Sequence, residues 1–262
     1  MELDCVKIVP GGNPTVLVRT PVPSELRAAA ALWIMGDLGI GGEQVGFVDL
    51  TGSVPQLAMM GGEFCGNACR ALAVLLAEEG VAAPGEEVVV HAAGALEPVA
   101  LRASLHDGVW QAWVRLPSGA GRARQVEPGA WLVRLPGIVH LLLDAERFLF
   151  SAQTCVEDAA QWRMRLGLET EAAVGCIWFS HAGGVLCIQP VVWVQATGTA
   201  LLETACGSGT MALASVLPHL PWAHGVEVLQ PSGAALELTA TPAGWWLGGP
   251  ARVTARARLF WD

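Results

Sequence analysis

The sequence predicts an α+β protein made of two halves of like fold. Three observations carry that prediction: one string occurs twice, short strand-like segments dominate the rest, and a Pro/Gly/Ser cluster separates the two copies. The repeated strings are Phe64-Cys65-Gly66-Asn67-Ala68-Cys69-Arg70-Ala71-Leu72-Ala73 and Ala205-Cys206-Gly207-Ser208-Gly209-Thr210-Met211-Ala212-Leu213-Ala214. Each has Cys-Gly, a small polar residue, then an apolar run at helical spacing. Asn67 and Ser208 are good N-cap types, and glycine permits a tight turn into a helix. A strand-rich segment follows each helix, at 88–97 and 226–237. Gly94 lies 29 residues after Cys65 and Gly233 lies 27 after Cys206. Matching order at nearly matching spacing is the signature of an internal repeat.

The other elements follow from periodicity and breakers. Strands are expected at 16–19, 45–50, 57–60, 99–104, 109–116 and 138–143. A helix is expected from Ser24, as N-cap, to Gly36, and its counterpart in the second half from Val156 to Leu168. The apolar stretch Val174 to Val194 is broken by Ser180, His181, Gly183, Gly184, Gln189 and Pro190, so it reads as two strands and a turn rather than a membrane span. The expected boundary is Pro117-Ser118-Gly119-Ala120-Gly121. The predicted division is 1–117, joined by a C-terminal strand at 250–262, and 118–249.

Composition narrows the function. Of 262 residues, 53% are hydrophobic and 15% charged, enough apolar material for a large core. The net charge of −9, with no Lys/Arg-rich run, argues against nucleic-acid and anionic-membrane partners. Met1-Glu2-Leu3-Asp4 has neither a basic nor a long apolar stretch, so no signal peptide is expected and the cytoplasm is the predicted compartment. Seven cysteines, an odd number, point to reduced thiols rather than a disulfide framework. Cys65 and Cys69 form a C-x3-C pair on one helix with no further ligand at suitable spacing, so no metal site is expected.

Two cysteines at two helix starts suggest a specific chemistry. Unpaired N–H groups and the helix dipole favour a thiolate there, and the same N–H groups can hold a carboxylate. Two facing helix starts would flank one carboxylate with two thiols. One thiolate would remove an α-proton and the opposite thiol would protonate the other face. The charge developing on the carboxylate would meet preorganised N–H donors. No pyridoxal motif is recognisable, so no cofactor is expected. The alternative from another class is a redox protein whose two cysteines form a reversible disulfide, which leaves the carboxylate site without a role.

These motifs resemble those of the diaminopimelate epimerase fold family. The likeness is closer to one branch, the histidine racemases that supply D-histidine for staphylopine-type metallophores. It is carried by 10–18, by Glu43-Gln44-Val45-Gly46-Phe47, by Gly62-Glu63-Phe64-Cys65-Gly66-Asn67-Ala68, by Cys206-Gly207-Ser208-Gly209-Thr210, and by Gln-Pro at 189–190 and 230–231. It runs from about residue 8 to about residue 240. The resemblance implies two pseudo-symmetric domains, each a mostly antiparallel, barrel-like sheet around a central helix, and a homodimer. It implies Cys65 and Cys206 as the acid/base pair, and Asn13 and Gln44 in the substrate pocket. It further implies that Gly66 and Asn67, with Gly207, Ser208 and Gly209, contact the α-carboxylate. Glu43 and Glu203 are candidates to orient the amino group or imidazole. His140 falls at the family's pocket histidine, where it would tune either cysteine or serve as a satisfied core residue.

The departures bear on substrate. Diaminopimelate epimerases carry Glu-Arg-Gly ahead of the second cysteine, but 195–205 here contains no Arg or Lys. Their Gly-Asn-Pro-His is Gly137-Ile138-Val139-His140 here. A second charged amino-acid head would find few partners, and unpaired buried charge is costly. The expected substrate is an amino acid with a neutral or weakly basic side chain, which histidine fits; diaminopimelate is the alternative.

Overall fold

The computed structural model describes residues 1–36, 38–117 and 121–261, so Ser118, Gly119 and Ala120 of the expected boundary lie outside the described residues. The first half runs β1 (Glu2–Pro10), β2 (Thr15–Val18), α1 (Arg27–Met35), β3 (Gln44–Asp49), β4 (Gln56–Met59), α2 (Gly66–Glu78), β5 (Glu87–Ala92), β6 (Val99–His106) and β7 (Val109–Arg115). The second runs β8 (Arg124–Glu127), β9 (Ala130–Leu135), β10 (Ile138–Asp144), α3 (Cys155–Arg165), β11 (Ala173–Ala182), β12 (Val185–Val194), β13 (Thr199–Leu202), α4 (Gly207–Val216), β14 (Val226–Leu229), β15 (Ala235–Thr241) and β16 (Gly244–Phe260).

The repeat in sequence is a repeat in connectivity. Parallel pairs β2–β3 and β10–β11 are crossed by α1 and α3; parallel pairs β4–β5 and β12–β14 are crossed by α2 and α4. Most remaining pairs are antiparallel. In the first half β1 to β7 follow in order, and β16 pairs with both β7 and β1, closing a ring of strands. Its Trp246–Ala251 stretch faces β7 and its Ala251–Phe260 stretch faces β1, so the joining strand engages the first half before residue 250. Closure removes the free edges an open sheet would leave.

Helix α2 fills this ring. From Gly66 to Leu76 every residue is buried, with Leu72, Leu75 and Leu76 fully so. Burying each such leucine contributes about 1.5–3 kcal/mol. Helix α4 lies against β9, β10, β12 and β15 of the second half. Helix α3, which carries five charged or amide side chains, buries only Cys155.

The turn predicted inside 174–194 forms at Gly183 and Gly184, whose φ angles of 60° and 81° suit a tight hairpin with left-handed central residues. Ser24 does not cap an α-helix. A 3₁₀ turn, Ser24–Leu26, precedes α1, and the Ser24 hydroxyl donates to Glu25 instead. Helix α3 stops at Arg165, short of the expected Leu168, because Gly167 turns the chain with φ 63°. Among the described residues no helix is long and apolar enough to cross a membrane.

Candidate active site

Cys65 and Cys206 are themselves the N-caps of α2 and α4, where the sequence suggested Asn67 and Ser208. Their backbones nearly superpose: φ −128°, ψ 111° at Cys65 and φ −129°, ψ 104° at Cys206. Each sulfur accepts from the amide three residues on, Ala68 N and Gly209 N, both at 3.4 Å. The thiol thus takes the capping role usually given to Ser or Asp, and Asn67 and Ser208 fall one turn-step inside the helix.

The two helix starts meet. Asn67 Nδ2 donates to Ala205 O at 2.9 Å. Leu247 of β16 sits between them: a Cβ added at Gly66 or at Gly207 would lie 3.1 or 2.5 Å from its Cδ2. Glycine after each cysteine is what allows this approach. The first amides of both helices have no intrahelical carbonyl to bind, so they remain available to an anion.

A narrow cavity of about 40 Å³ separates the thiols. Cys65, Cys206, Glu43, Gln44, Asn67, Glu203, Gly207 and Ser208 line it, as does Glu63, for which the sequence suggested no role. Apolar walls come from Met60, Phe64, Ile138, Val192 and Val194. Among the described residues no Lys, Arg or His lines it. Asn13, Gly66 and Gly209 are not among the lining residues. A wider surface groove near Arg19, Phe47, Asp49 and His91 contains neither cysteine.

A buried hydrogen-bond chain fixes one wall. The Cys65 thiol donates to Gln44 Oε1 at 3.0 Å. Gln44 Nε2 donates to Asn13 Oδ1 and to Thr15 Oγ1. Asn13 Nδ2 donates to Glu43 Oε2 at 2.6 Å. Glu43 also accepts from Thr204 N and, at 2.6 Å, from Thr204 Oγ1, linking the two halves. On the other side Cys206 N donates to Gln230 Oε1 at 2.9 Å, and the Cys206 sulfur lies 3.6 Å from Ser208 Oγ.

The electrostatics reverse one expectation. Burial pushes the Cys65 thiol up to about 12, with Glu203 and Glu63 adding to the rise, and it lifts Cys206 well above its ordinary value, with Glu203 again contributing. Helix-start amides pull the other way but are outweighed by desolvation. Both resting thiols are therefore neutral. Burial also raises Glu43 and Glu63, and it raises Glu203 to about 8, with Glu43 contributing and the neighbouring Cys206 thiol opposing.

Two buried groups stand behind the site. Arg70, fully buried one turn along α2, donates to Ala112 O and Pro250 O at 3.0 Å and to Asn67 Oδ1 at 3.4 Å. Desolvation lowers it to about 9, so it stays charged at neutral pH. An arginine in an apolar helix gives no sequence signal of such burial. His140 is fully buried on β10 beside Gly175, and neither ring nitrogen has a partner. It does not line the cavity and is no satisfied core histidine; burial lowers it to about 3, so it is neutral. Among the described residues no group of three His, Cys, Asp or Glu could hold a metal ion.

Sequence comparison with known proteins places the chain in one family. A family model described as the histidine racemase CntK N-terminal domain matches residues 2–243. A histidine racemase of Fusobacterium nucleatum subsp. nucleatum is 28% identical over 272 residues, spanning 98% of this chain and 96% of that protein. A histidine racemase of Staphylococcus aureus is 26% identical over 224 residues, spanning 79% and 77%. The fold is similar to solved structures of a hydroxyproline epimerase from Agrobacterium vitis (TM-score 0.72, 12% identity, 98% and 92% coverage) and a probable proline racemase from Agrobacterium radiobacter K84 (TM-score 0.71, 11% identity, 99% and 93% coverage).

Proposed function

Since the chain belongs to the histidine racemase family, we propose that it interconverts L- and D-histidine by proton transfer between Cys65 and Cys206, with no cofactor. The observation that carries this reading is the pair of thiols capping two helices that open on one cavity. In this reading the substrate carboxylate binds the free amides at Gly66, Asn67, Gly207 and Ser208, where charge growing at the α-carbon is also met. One sulfur removes the α-proton and the other returns a proton to the opposite face. Glu203 lines the cavity with Cys206 and is raised to about 8, so in this reading it receives and returns that thiol's proton.

The three acidic residues support a cationic substrate. An ammonium group and a protonatable imidazole would compensate Glu43, Glu63 and Glu203, and in doing so would remove the charge that opposes thiolate formation. A distal carboxylate, as in diaminopimelate, would meet those acids and no lining cation. The same reading takes residues 1–117 with 250–262, and 118–249, as two domains. It takes the partner as a small-molecule amino acid, the assembly as a cytoplasmic homodimer, and the use of D-histidine as metallophore biosynthesis.

Incubating L-histidine with the purified protein in D2O should yield α-deuterated D- and L-histidine. Cys65→Ser and Cys206→Ser should each abolish inversion. Failure to exchange histidine, alongside turnover of L,L-diaminopimelate, would overturn the substrate assignment. Inversion in either variant at the normal rate would overturn the two-thiol mechanism.

A further inference from the structure

The three acids of the cavity are not equivalent. Both oxygens of Glu43 are occupied by Thr204 and Asn13. Glu203 lies beside Cys206 on the cavity lining and raises its thiol, and neither of its oxygens is among the buried, unpartnered atoms. Glu63 is different: it is 7% exposed, lines the cavity, and its Oε2 is buried with no hydrogen-bond partner. That oxygen sits over Gly61, where an added Cβ would lie 2.6 Å from it and 2.8 Å from Val194 Cγ1 on the cavity wall. Burial raises this carboxyl group above its ordinary value, and the neighbouring backbone of Glu63 and Gly61 only partly offsets the rise. A buried acceptor left without a donor costs about 1–3 kcal/mol, and more when charged.

We propose that Glu63 Oε2 accepts an N–H from the substrate's side chain, making Glu63 the residue that selects amino acids with an N–H-bearing, basic side chain. This rests on the racemase reading above. The surroundings suit the assignment: Phe64, Val192 and Val194 supply apolar lining in the same cavity as Glu63, a pairing of apolar contact with one polar group that would suit a ring bearing an N–H. A site that hydrogen-bonds an N–H discriminates strongly against analogues lacking it, because its own polar group is then left buried and unpaired. Glu63 also opposes the charged form of Cys65, so a donor bound at Oε2 favours the thiolate.

The test is Glu63→Gln, with Glu63→Leu as a second variant. Steady-state racemisation of L-histidine is measured across pH, and α-proton exchange into L-histidine and L-phenylalanine is followed in D2O. Alkylation of Cys65 by iodoacetamide is followed across pH in a Cys206→Ser background. For Glu63→Gln the proposal expects KM for histidine to rise about 10- to 100-fold, with kcat changed far less. Cys65 alkylation should become half-maximal at lower pH, a change a merely structural role would not produce. Glu63→Leu should lose preference for histidine over phenylalanine. If wild-type protein racemises histidine while Glu63→Gln keeps its KM and Glu63→Leu keeps its preference, the assignment of Glu63 is wrong and the racemase reading stands. If wild-type protein exchanges no histidine α-proton, both fall together.

Discussion

A neutral histidine sealed in the core should make stability depend on pH in a calculable way. His140 is fully buried, its ring nitrogens are unpaired, and burial lowers it to about 3 from an ordinary 6.5. Between those pH values the unfolded chain binds the extra proton and the folded protein does not. The stability at stake is therefore fully present above 6.5 and is lost progressively as pH falls toward 3. One pH unit is worth about 1.4 kcal/mol, so lowering the pH from 7 to 5 removes about 2 kcal/mol through this residue alone. Glu43, Glu63 and Glu203 are raised and act in the opposite sense, since the folded protein holds their protons more tightly. Those groups are common to the wild type and to a His140→Leu variant, so they cancel in the difference between the two. Urea unfolding of both proteins at pH 5 and pH 7 isolates the histidine. The variant should gain about 2 kcal/mol relative to wild type at pH 5 over its relative position at pH 7. It should also be no less stable at pH 7, because leucine needs no partner where each unpaired ring nitrogen costs about 1–3 kcal/mol. Parallel behaviour of the two proteins, within about 0.5 kcal/mol, would refute the assignment of a neutral, unpartnered ring.

Other consequences are direct. Gly175→Ala should destabilise the protein by about 1–3 kcal/mol, because its Cβ would lie 2.2 Å from His140 Nδ1; thermal unfolding should show the loss shrinking when His140→Ala is added. Arg70→Met should cost about 1–3 kcal/mol in denaturant titrations by removing the side-chain donor to Ala112 O, while Pro250 O keeps the Gly11 amide at 2.7 Å; Arg70→Lys should restore little, since an ammonium cannot span three separated acceptors. In the proposed mechanism, kcat/KM for histidine should rise with pH through an apparent value near 8, where Glu203 becomes able to take the Cys206 proton; a Glu203→Gln pH profile that keeps this limb would exclude Glu203 as its source.

The repeat was legible because Cys-Gly at a helix start constrains backbone and chemistry together. The cap needs the sulfur, and the meeting of α2 with α4 over Leu247 needs the glycine, so both leave a mark in the string. The strand positions from β2 to β7 and the hairpin at Gly183 follow from alternation and turn residues for the same local reason. What depended on distant partners left no such mark. Glu63 reads as one acid among several, and its orphaned oxygen emerges only once Gly61 and Val194 enclose it. Arg70 is one more residue of the repeated string in the sequence, yet the two carbonyls that hold it belong to β7 and β16, at sequence distances of 42 and 180 residues. The helix-start argument favoured a thiolate, but its sign changed when desolvation and the neighbouring acids were added. Local dipoles can be read from sequence, whereas depth of burial cannot.

Near-identical cap geometry at Cys65 and Cys206 also yields a test of how the proposed reaction divides between them. If the thiols address opposite faces of one α-carbon, each single serine variant retains one working sulfur. That sulfur can still remove the proton from the enantiomer it faces and return a solvent deuteron to the same face, without inversion. Cys65→Ser and Cys206→Ser should therefore wash deuterium into opposite enantiomers of histidine while racemising neither. Chiral separation after incubation of each enantiomer in D2O reads this directly. The rates need not match, because Cys65 donates to Gln44 whereas Cys206 faces Ser208 and Glu203. Exchange of the same enantiomer by both variants would mean the two sulfurs do not flank the α-carbon. The structural equivalence of the two caps would then serve folding rather than proton transfer.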